Sequence, residues 1–277
     1  MTASSLPRVA ANGASIPPIG LGTWQLQGDV LAASIQAAAD AGYRHFDTAP
    51  RYENEAGVGA ALRASGLARD EYFLTTKVWH TELTADAFRR SAERSVQVLG
   101  VGPVDLLLIH WPNPAVPLAE TIGALCQARR DGLARHIGVS NFSASRLDHA
   151  VALADEPLVA NQCEHHPRLD QSALIAACRR HGIALVGYAP IGSGNLLDDP
   201  ALATLAARHG KTPAQVVLRW HVQQGTVAIP RSSNPGRVAQ NIDIADFALD
   251  AADMAAVSAL ARPDGRIFSP AWVETWE

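Results

Sequence analysis

The sequence predicts an α/β protein built as a closed (β/α)8 TIM barrel, with an N-terminal β-hairpin closing the bottom. Three observations carry this expectation. Eight short apolar runs of β type recur along the 277 residues. Ala-rich stretches with helical periodicity alternate with them, as in parallel βα units. No charge block, low-complexity stretch or Ser/Gly linker divides the chain, so residues 1–277 are expected to form a single barrel domain, for which about 250 residues is an ordinary size. Hydrophobic residues make up 48% of the chain and charged residues 18%, ample material for a buried core and unlike a disordered protein.

The alternation follows a short preface. Residues 6–10 and 15–16 flank Asn12-Gly13, a pair that accepts the positive φ angles of a tight hairpin turn. Strands are expected at residues 19–22, 45–47, 72–77, 104–109, 134–140, 159–163, 184–188 and 226–229. Helices are expected between them at 30–41, 54–65, 85–99, 118–131, 144–154, 171–181 and 213–224. Thr212 is the expected N-cap of the last, with Pro213 at its first position, and Pro235 opens a further helical pattern. Val104-Asp105-Leu106-Leu107-Leu108-Ile109 is nearly continuous in apolar character, as befits a strand covered on both faces. This repeated alternation suits a closed barrel better than an open doubly wound sheet. No G-x-G-x-x-G follows a strand, so any nucleotide must be held without the usual dinucleotide fingerprint.

Composition excludes several functional classes. With 23 Lys and Arg against 27 Asp and Glu, a formal charge of -4 offers no broad field for nucleic acid or anionic lipid, and neither is an expected partner. The start Met1-Thr2-Ala3-Ser4-Ser5 lacks the pattern of a signal peptide, and no run of about 18 apolar residues exists to span a membrane. A cytoplasmic protein is expected. Cys126, Cys163 and Cys178 read as reduced packing residues. The pair His165-His166 invites a metal reading, but adjacent strand residues face opposite ways and no further ligand set is evident, so no metal is expected.

Barrel enzymes carry their chemistry at the C-terminal ends of the strands. Here those ends read Gly22-Thr23-Trp24, Asp47, Lys77, His110-Trp111-Pro112, Ser140-Asn141, Gln162, Tyr188-Ala189-Pro190 and Arg231-Ser232, with Tyr52 five residues past Asp47. Singly, each has a structural explanation: Asp47 as a turn cap, Lys77 as a solvated strand end, His110 as a satisfied core histidine. Together they bring a carboxylate, an ammonium, an imidazole and a phenol to one rim. A free tyrosine has a pKa of about 10, and a nearby ammonium lowers it by favouring the phenolate. Lys77 would supply that charge, Asp47 would hold Lys77 protonated, and His110 could orient a substrate oxygen. The constellation suits proton donation to a carbonyl oxygen.

These residues lie within motifs that resemble the aldo-keto reductases over essentially the whole chain. They stand as Gly20-Leu21-Gly22-Thr23-Trp24, Gly42-Tyr43-Arg44-His45-Phe46-Asp47-Thr48-Ala49, Tyr52-Glu53-Asn54-Glu55 and Thr75-Thr76-Lys77-Val78-Trp79. They continue as residues 104–112, Ile137-Gly138-Val139-Ser140-Asn141-Phe142, Asn161-Gln162 and Ile229-Pro230-Arg231-Ser232-Ser233-Asn234-Pro235. The resemblance implies NADPH-dependent reduction of small carbonyl compounds, with Asp47, Tyr52, Lys77 and His110 as the catalytic tetrad. It implies cofactor contacts from Thr23, Trp24 and Asp47, a nicotinamide carboxamide on Ser140, Asn141 and Gln162, and its ring on Tyr188. Ile191, Gly192, Ser193 and Gly194 would cover the pyrophosphate, although a glycine-rich stretch there could equally be a surface turn. Arg231, Ser232, Ser233, Asn234 and Arg237 would meet the adenosine 2'-phosphate, with Gln240 and Asn241 near adenine. Trp24, Trp79 and Trp111 would line an apolar substrate pocket.

The sequence departs from the family's usual pattern at three cofactor positions: Arg231 replaces a common lysine, Ala189 a serine and Gln240 a glutamate. NADPH/NADP+ remains the expected cofactor, with NADH binding more weakly. The loop after Trp111-Pro112 is short, and the C-terminal tail is brief, ending Ser269-Pro270-Ala271-Trp272-Val273-Glu274-Thr275-Trp276-Glu277, where Trp272 could close one side of the pocket or equally pack on the surface. These features are similar to the bacterial branch that reduces 2,5-diketo-D-gluconate and methylglyoxal, so the expected substrates are methylglyoxal, aromatic aldehydes, keto esters and diketo-gluconate, and the expected state is a monomer. A different class stays open at this level: a cofactor-binding regulatory subunit of the same fold with little turnover.

Overall fold

The computed structural model describes residues 6–192, 196–270 and 273. Strands β1 (Val9–Ala11) and β2 (Ala14–Ile16) pair antiparallel, with Val9 opposite Ile16. Their turn sets Asn12 at φ 41° and Gly13 at φ 90°, the left-handed pair that a tight two-residue hairpin requires. The Asn12 side-chain amide donates to the carbonyls of Leu158 (2.8 Å) and His181 (3.0 Å), which pins the hairpin across the N-terminal end of the barrel. Ala11, Ala14 and Ile16 of the hairpin then pack with Leu106, Leu108 and Val186 of the barrel interior.

Eight parallel strands follow in sequential order. They are β3 (Leu21–Gly22), β4 (His45–Asp47), β5 (Phe73–Val78), β6 (Val104–Ile109), β7 (Ala134–Ser140), β8 (Leu158–Glu164), β9 (Ala184–Tyr188) and β10 (Val227–Ala228). The helices between and after them are α1 (Gly28–Asp40), α2 (Glu55–Ala64), α3 (Ala85–Leu99), α4 (Leu118–Arg130), α5 (Ala144–Leu153), α6 (Ser172–Arg180), α7 (Pro200–His209), α8 (Pro213–Gln223), α9 (Pro235–Ile242) and α10 (Ala251–Ser258). The sheet closes where the first strand meets the last. Gly20 N–H donates to Ala228 O (2.9 Å), Ala228 N–H to Pro18 O (2.8 Å) and Gly22 N–H to Pro230 O (3.0 Å). Gly22 permits this approach, since a Cβ there would lie 2.9 Å from the Ile229 carbonyl oxygen.

Most expected elements form with boundaries moved by one or two residues. The run at 19–22 contracts to β3 because Ile19 makes only an isolated bridge, to Ala228. Two helices, α7 and α10, were not expected, and both carry local start signals. The Asp199 side chain accepts from Ala201 N–H ahead of Pro200, and Asp250 forms a capping box with Asp253. With α8 they enclose a small separate core around Leu202, Leu205, Val216, Trp220 and Val257. Cys126, Cys163 and Cys178 are buried free thiols. No helix among the described residues is long and apolar enough to cross a membrane.

The α2–α3 contact is tight enough to test. A Cβ on Gly59 would stand 1.9 Å from the Leu99 carbonyl oxygen, which also accepts from Arg63 Nη1 at 2.8 Å. Gly59→Ala should therefore force the two helices apart and cost about 1–3 kcal/mol, read as a lowered urea midpoint at unchanged m-value.

Candidate active site

The site is built at the C-terminal mouth of the barrel by side chains from adjacent strand ends. Asp47 ends β4, Lys77 lies near the end of β5, and His110 directly follows β6. The β4–α2 connection forms a 3-10 turn at Pro50–Tyr52, which carries Tyr52 back over the rim. Its backbone is fixed from two sides: Tyr52 N–H donates to Ala49 O (3.0 Å), and the Gln27 side chain donates to Tyr52 O (2.8 Å).

Lys77 is the centre of the arrangement. Its side chain is fully buried, and its ammonium donates to Asp47 Oδ1 (2.7 Å), Thr48 O (2.9 Å) and Tyr52 Oη (3.2 Å). All three ammonium protons thus have partners, which is what makes a buried charge tolerable. Burial by itself would lower the Lys77 pKa, but Asp47 and Tyr52 outweigh it and raise the value. The solvated strand end considered for Lys77 is therefore excluded. Asp47 reaches across the barrel as well, its Oδ2 accepting from Gln162 Nε2 at 2.7 Å. Thr23 Oγ1 donates to Asp47 O (2.9 Å), so Thr23 braces the strand end.

Tyr52 differs from the simple expectation. Burial raises its pKa; Lys77 pulls it down as anticipated but does not overcome that burial, and Asp47 adds to the rise. The phenol is thus held as the proton-bearing form. His110 stands edge-on to Tyr52, with ring centroids 5.8 Å apart, and edge-on to Trp79 at 5.0 Å. Burial, then Lys77, His80 and Arg51, keep its pKa well below the usual histidine value, so the imidazole is neutral near pH 7.

A second network adjoins this quartet. Asn141, at φ 62°, donates through its side-chain amide to His110 O (2.9 Å) and Ser140 Oγ (3.0 Å) and accepts from Tyr188 Oη (2.8 Å). Ser140 Oγ donates to Gln162 O at 2.7 Å. The Tyr188 ring is thereby fixed by its hydroxyl while part of its surface stays open. Asn54 stands in the sequence only as part of the Tyr52–Glu55 motif, with no role assigned to it. It is buried, accepts from Thr48 Oγ1 (2.8 Å) and donates to Thr23 O (2.8 Å) and Leu26 O (3.0 Å), tying the first two strand ends together.

Comparison with known proteins agrees with this geometry. The aldo/keto reductase family pattern matches residues 18–262. The chain belongs to the aldo/keto reductase family. An aldo-keto reductase of Mycolicibacterium smegmatis is 42% identical over 270 residues, covering 95% of this chain and 98% of that one. Methylglyoxal reductase DkgB of Yersinia pestis is 41% identical over 267 residues, covering 93% and 99%. A crystal structure of a candidate 2,5-diketo-D-gluconic acid reductase B superimposes with a TM-score of 0.94 at 44% identity, over 96% of each chain. A Bombyx mori aldo-keto reductase solved with NADP superimposes with a TM-score of 0.86 at 35% identity, over 92% of each chain.

Within this aldo/keto reductase the remaining sequence-chosen residues are spread around the same mouth. Arg231 lies just past β10 and donates from Nε to Trp24 O at 3.2 Å, across the barrel seam. Ser232 Oγ accepts from Asn234 N–H (3.1 Å), and Asn234 caps α9 by accepting from Arg237 N–H (3.1 Å). Arg231, Ser233, Asn234, Arg237 and Gln240 are exposed, whereas Asn241 is buried. Ile191 and Gly192 follow β9, with Gly192 N–H donating to Ala189 O (2.8 Å). Ser193 and Gly194 lie outside the described residues, as does Trp272. Trp24 is 44% exposed and Trp79 half-buried, whereas Trp111 is only 7% exposed and mainly packs. A separate concavity of about 540 Å³ opens between residues 112–118 and the start of α5, and none of the quartet lines it.

The Lys77–Asp47 pair makes a stability prediction. Removing one member of a buried pair costs about 3–5 kcal/mol, so Asp47→Asn should unfold at markedly lower urea concentration than wild type at pH 7. The double variant Asp47→Asn/Lys77→Met should recover part of that loss, because the stranded charge is gone. Equal losses for the single and double variants would contradict the pairing.

Proposed function

We propose that this aldo/keto reductase is an NADPH-dependent carbonyl reductase acting on small aldehydes and ketones. The observation that carries the reading is a single buried ammonium within hydrogen-bond reach of both a carboxylate and a phenol, beside a neutral imidazole. Relatives named methylglyoxal reductase and 2,5-diketo-D-gluconic acid reductase support small, oxygen-rich carbonyl substrates. A neighbour solved with NADP supports the cofactor.

The residues fit such a cofactor. Gln162 commits its amide nitrogen to Asp47 and keeps its amide oxygen as an acceptor for a carboxamide N–H. Tyr188 presents a ring held rigid by Asn141, a suitable platform for a flat aromatic group. Arg231 and Arg237 flank the N-terminus of α9, where backbone N–H groups favour a phosphate. When bound, NADPH supplies the hydride that the carbonyl carbon accepts.

The protein's own groups perform the rest. His110, neutral, orients the carbonyl oxygen towards Tyr52. Tyr52 donates its phenolic proton to that oxygen as negative charge develops there. The Lys77 ammonium stabilises the phenolate left behind, most strongly at the moment of transfer, when the interaction lowers the barrier. Asp47 keeps Lys77 protonated and aimed. Trp24 and Trp79 line the approach and exclude water from one side.

A steady-state screen of NADPH consumption over methylglyoxal, aromatic aldehydes, keto esters and diketo-gluconate tests the reading, and absence of turnover with every carbonyl would refute it. Tyr52→Phe keeps the ring and removes the acid, so kcat should fall about a hundredfold or more while NADPH still quenches tryptophan fluorescence. Arg237→Ala should weaken NADPH about tenfold and leave NADH within about twofold, as loss of a contact to the 2'-phosphate alone requires. Equal weakening of both cofactors would place Arg237 elsewhere.

A further inference from the structure

The turn that carries Tyr52 also carries a cation with no part in the quartet. Arg51 is the middle residue of the 3-10 turn Pro50–Tyr52, directly before the phenol. The backbone around it is fixed by the bonds of Tyr52 to Ala49 and Gln27 and by Glu53 N–H donating to Pro50 O (2.9 Å). From this rigid base the side chain reaches the mouth: its guanidinium carbon lies over the Trp79 ring, 5.6 Å from the centroid. Trp79 stands edge-on to His110 at 5.0 Å, and His110 edge-on to Tyr52 at 5.8 Å. An unbroken line of contacts thus joins the guanidinium to both groups that handle the carbonyl oxygen.

The charge of Arg51 is weakly matched. Glu53 pairs with it at 3.9 Å, with side chains 58% and 82% exposed, a contact worth little in water. Other carboxylates of the rim are engaged elsewhere: Asp47 with Lys77 and Gln162, and Glu82 with Arg94 (2.8 Å) and Ser91 (2.7 Å). His80 also borders Trp79, at 4.7 Å between centroids, but burial lowers its pKa, so Arg51 is the standing positive charge on this side near pH 7. A guanidinium laid over an aromatic ring keeps its in-plane fork of N–H donors for a planar anion, the geometry that matches a carboxylate. Its charge is felt at His110, behind those of Lys77 and His80, so the guanidinium stands off from the reacting centre with the indole touching both. The chain's formal charge of -4 gives no general attraction for an anionic substrate, and capture of one needs a local cation of this kind.

We propose that Arg51 is a specificity residue that selects carbonyl substrates bearing a carboxylate several bonds from the reacting carbon. The guanidinium holds the carboxylate, the body of the substrate lies along Trp79, and the carbonyl reaches Tyr52 and His110. This inference rests on the carbonyl reductase reading and names a substrate class for it.

The test compares 4-carboxybenzaldehyde with methyl 4-formylbenzoate, which share the reacting aldehyde and differ in charge, at saturating NADPH. The readout is the ratio of kcat/KM for the acid over the ester, because an effect of a substitution on His110, the cofactor or folding falls on both substrates and cancels. Wild type should favour the acid. Arg51→Gln should lower the ratio about tenfold, chiefly through the KM for the acid, as loss of a charged hydrogen-bonded contact requires. Arg51→Lys keeps the charge without the fork and should fall between the two. Glu53→Gln removes the competing carboxylate and should raise the ratio. A wild type indifferent to the charge, or an Arg51→Gln ratio equal to that of wild type, overturns the proposal. Calorimetry without turnover separates the two readings: 4-(hydroxymethyl)benzoate, the alcohol product, should bind the NADP+-saturated protein about tenfold more weakly in Arg51→Gln than in wild type. If wild type reduces neither aldehyde, the carbonyl reductase reading fails, and this binding difference still decides whether Arg51 takes a carboxylate. No binding to wild type, or equal binding to both proteins, overturns that role.

Discussion

The hydrogen-bonded ammonium of Lys77 is the interaction on which the rest of the site depends. Among the described residues it is the one Lys or Arg side chain that is fully buried, and it is tolerable there only because three oxygens face it. Those oxygens come from the end of β4, the residue after it and the 3-10 turn beyond. Misplacement of any of these segments would leave the buried ammonium short of a partner. The site's geometry and the stability of that rim are therefore one problem, solved by the same contacts.

Charge at the mouth is also rationed. The ammonium and the Asp47 carboxylate balance, and the imidazole beside them stays neutral because burial and the nearby cations oppose a second positive charge. The phenol keeps its proton because burial outweighs the pull of Lys77. A neutral phenol and a neutral imidazole thus stand beside one fixed cation, the Lys77 ammonium.

The quartet was legible in the sequence because parallel strands put their C-terminal residues at one rim, so a polar residue ending an apolar run has a known address. The hairpin was legible from Asn12-Gly13 for a similarly local reason. What failed to show was either local but out of template or nonlocal. Helices α7 and α10 carried Asp caps, yet a strict one-strand, one-helix reading had no place for them. Lys77's effect on Tyr52 had the right sign, but sequence could not weigh it against burial. Glu164 and Phe268 meet through backbone amides across more than 100 residues, and no periodicity marks a contact whose donor carries no side-chain signature.

The seam between β3 and β10 has a temporal meaning. Trp24 and Arg231 touch across it although 207 residues separate them in the chain, and Gly20, Gly22 and Ala228 close the sheet at the same place. Closing so long a loop carries an entropic cost that only the finished seam offsets, and long-range pairings of this kind slow folding. As the chain leaves the ribosome, the seven strands β3–β9 can assemble into a curved, open sheet with raw edges on β3 and β9. The carboxylate, ammonium and imidazole can already be adjacent in that intermediate, but the cylinder cannot shut until residues around 228–231 have emerged. Maturation of the mouth is thus tied to the emergence of residues 228–231, and the exposed edges of β3 and β9 are the faces that must be kept from other partners in the interval.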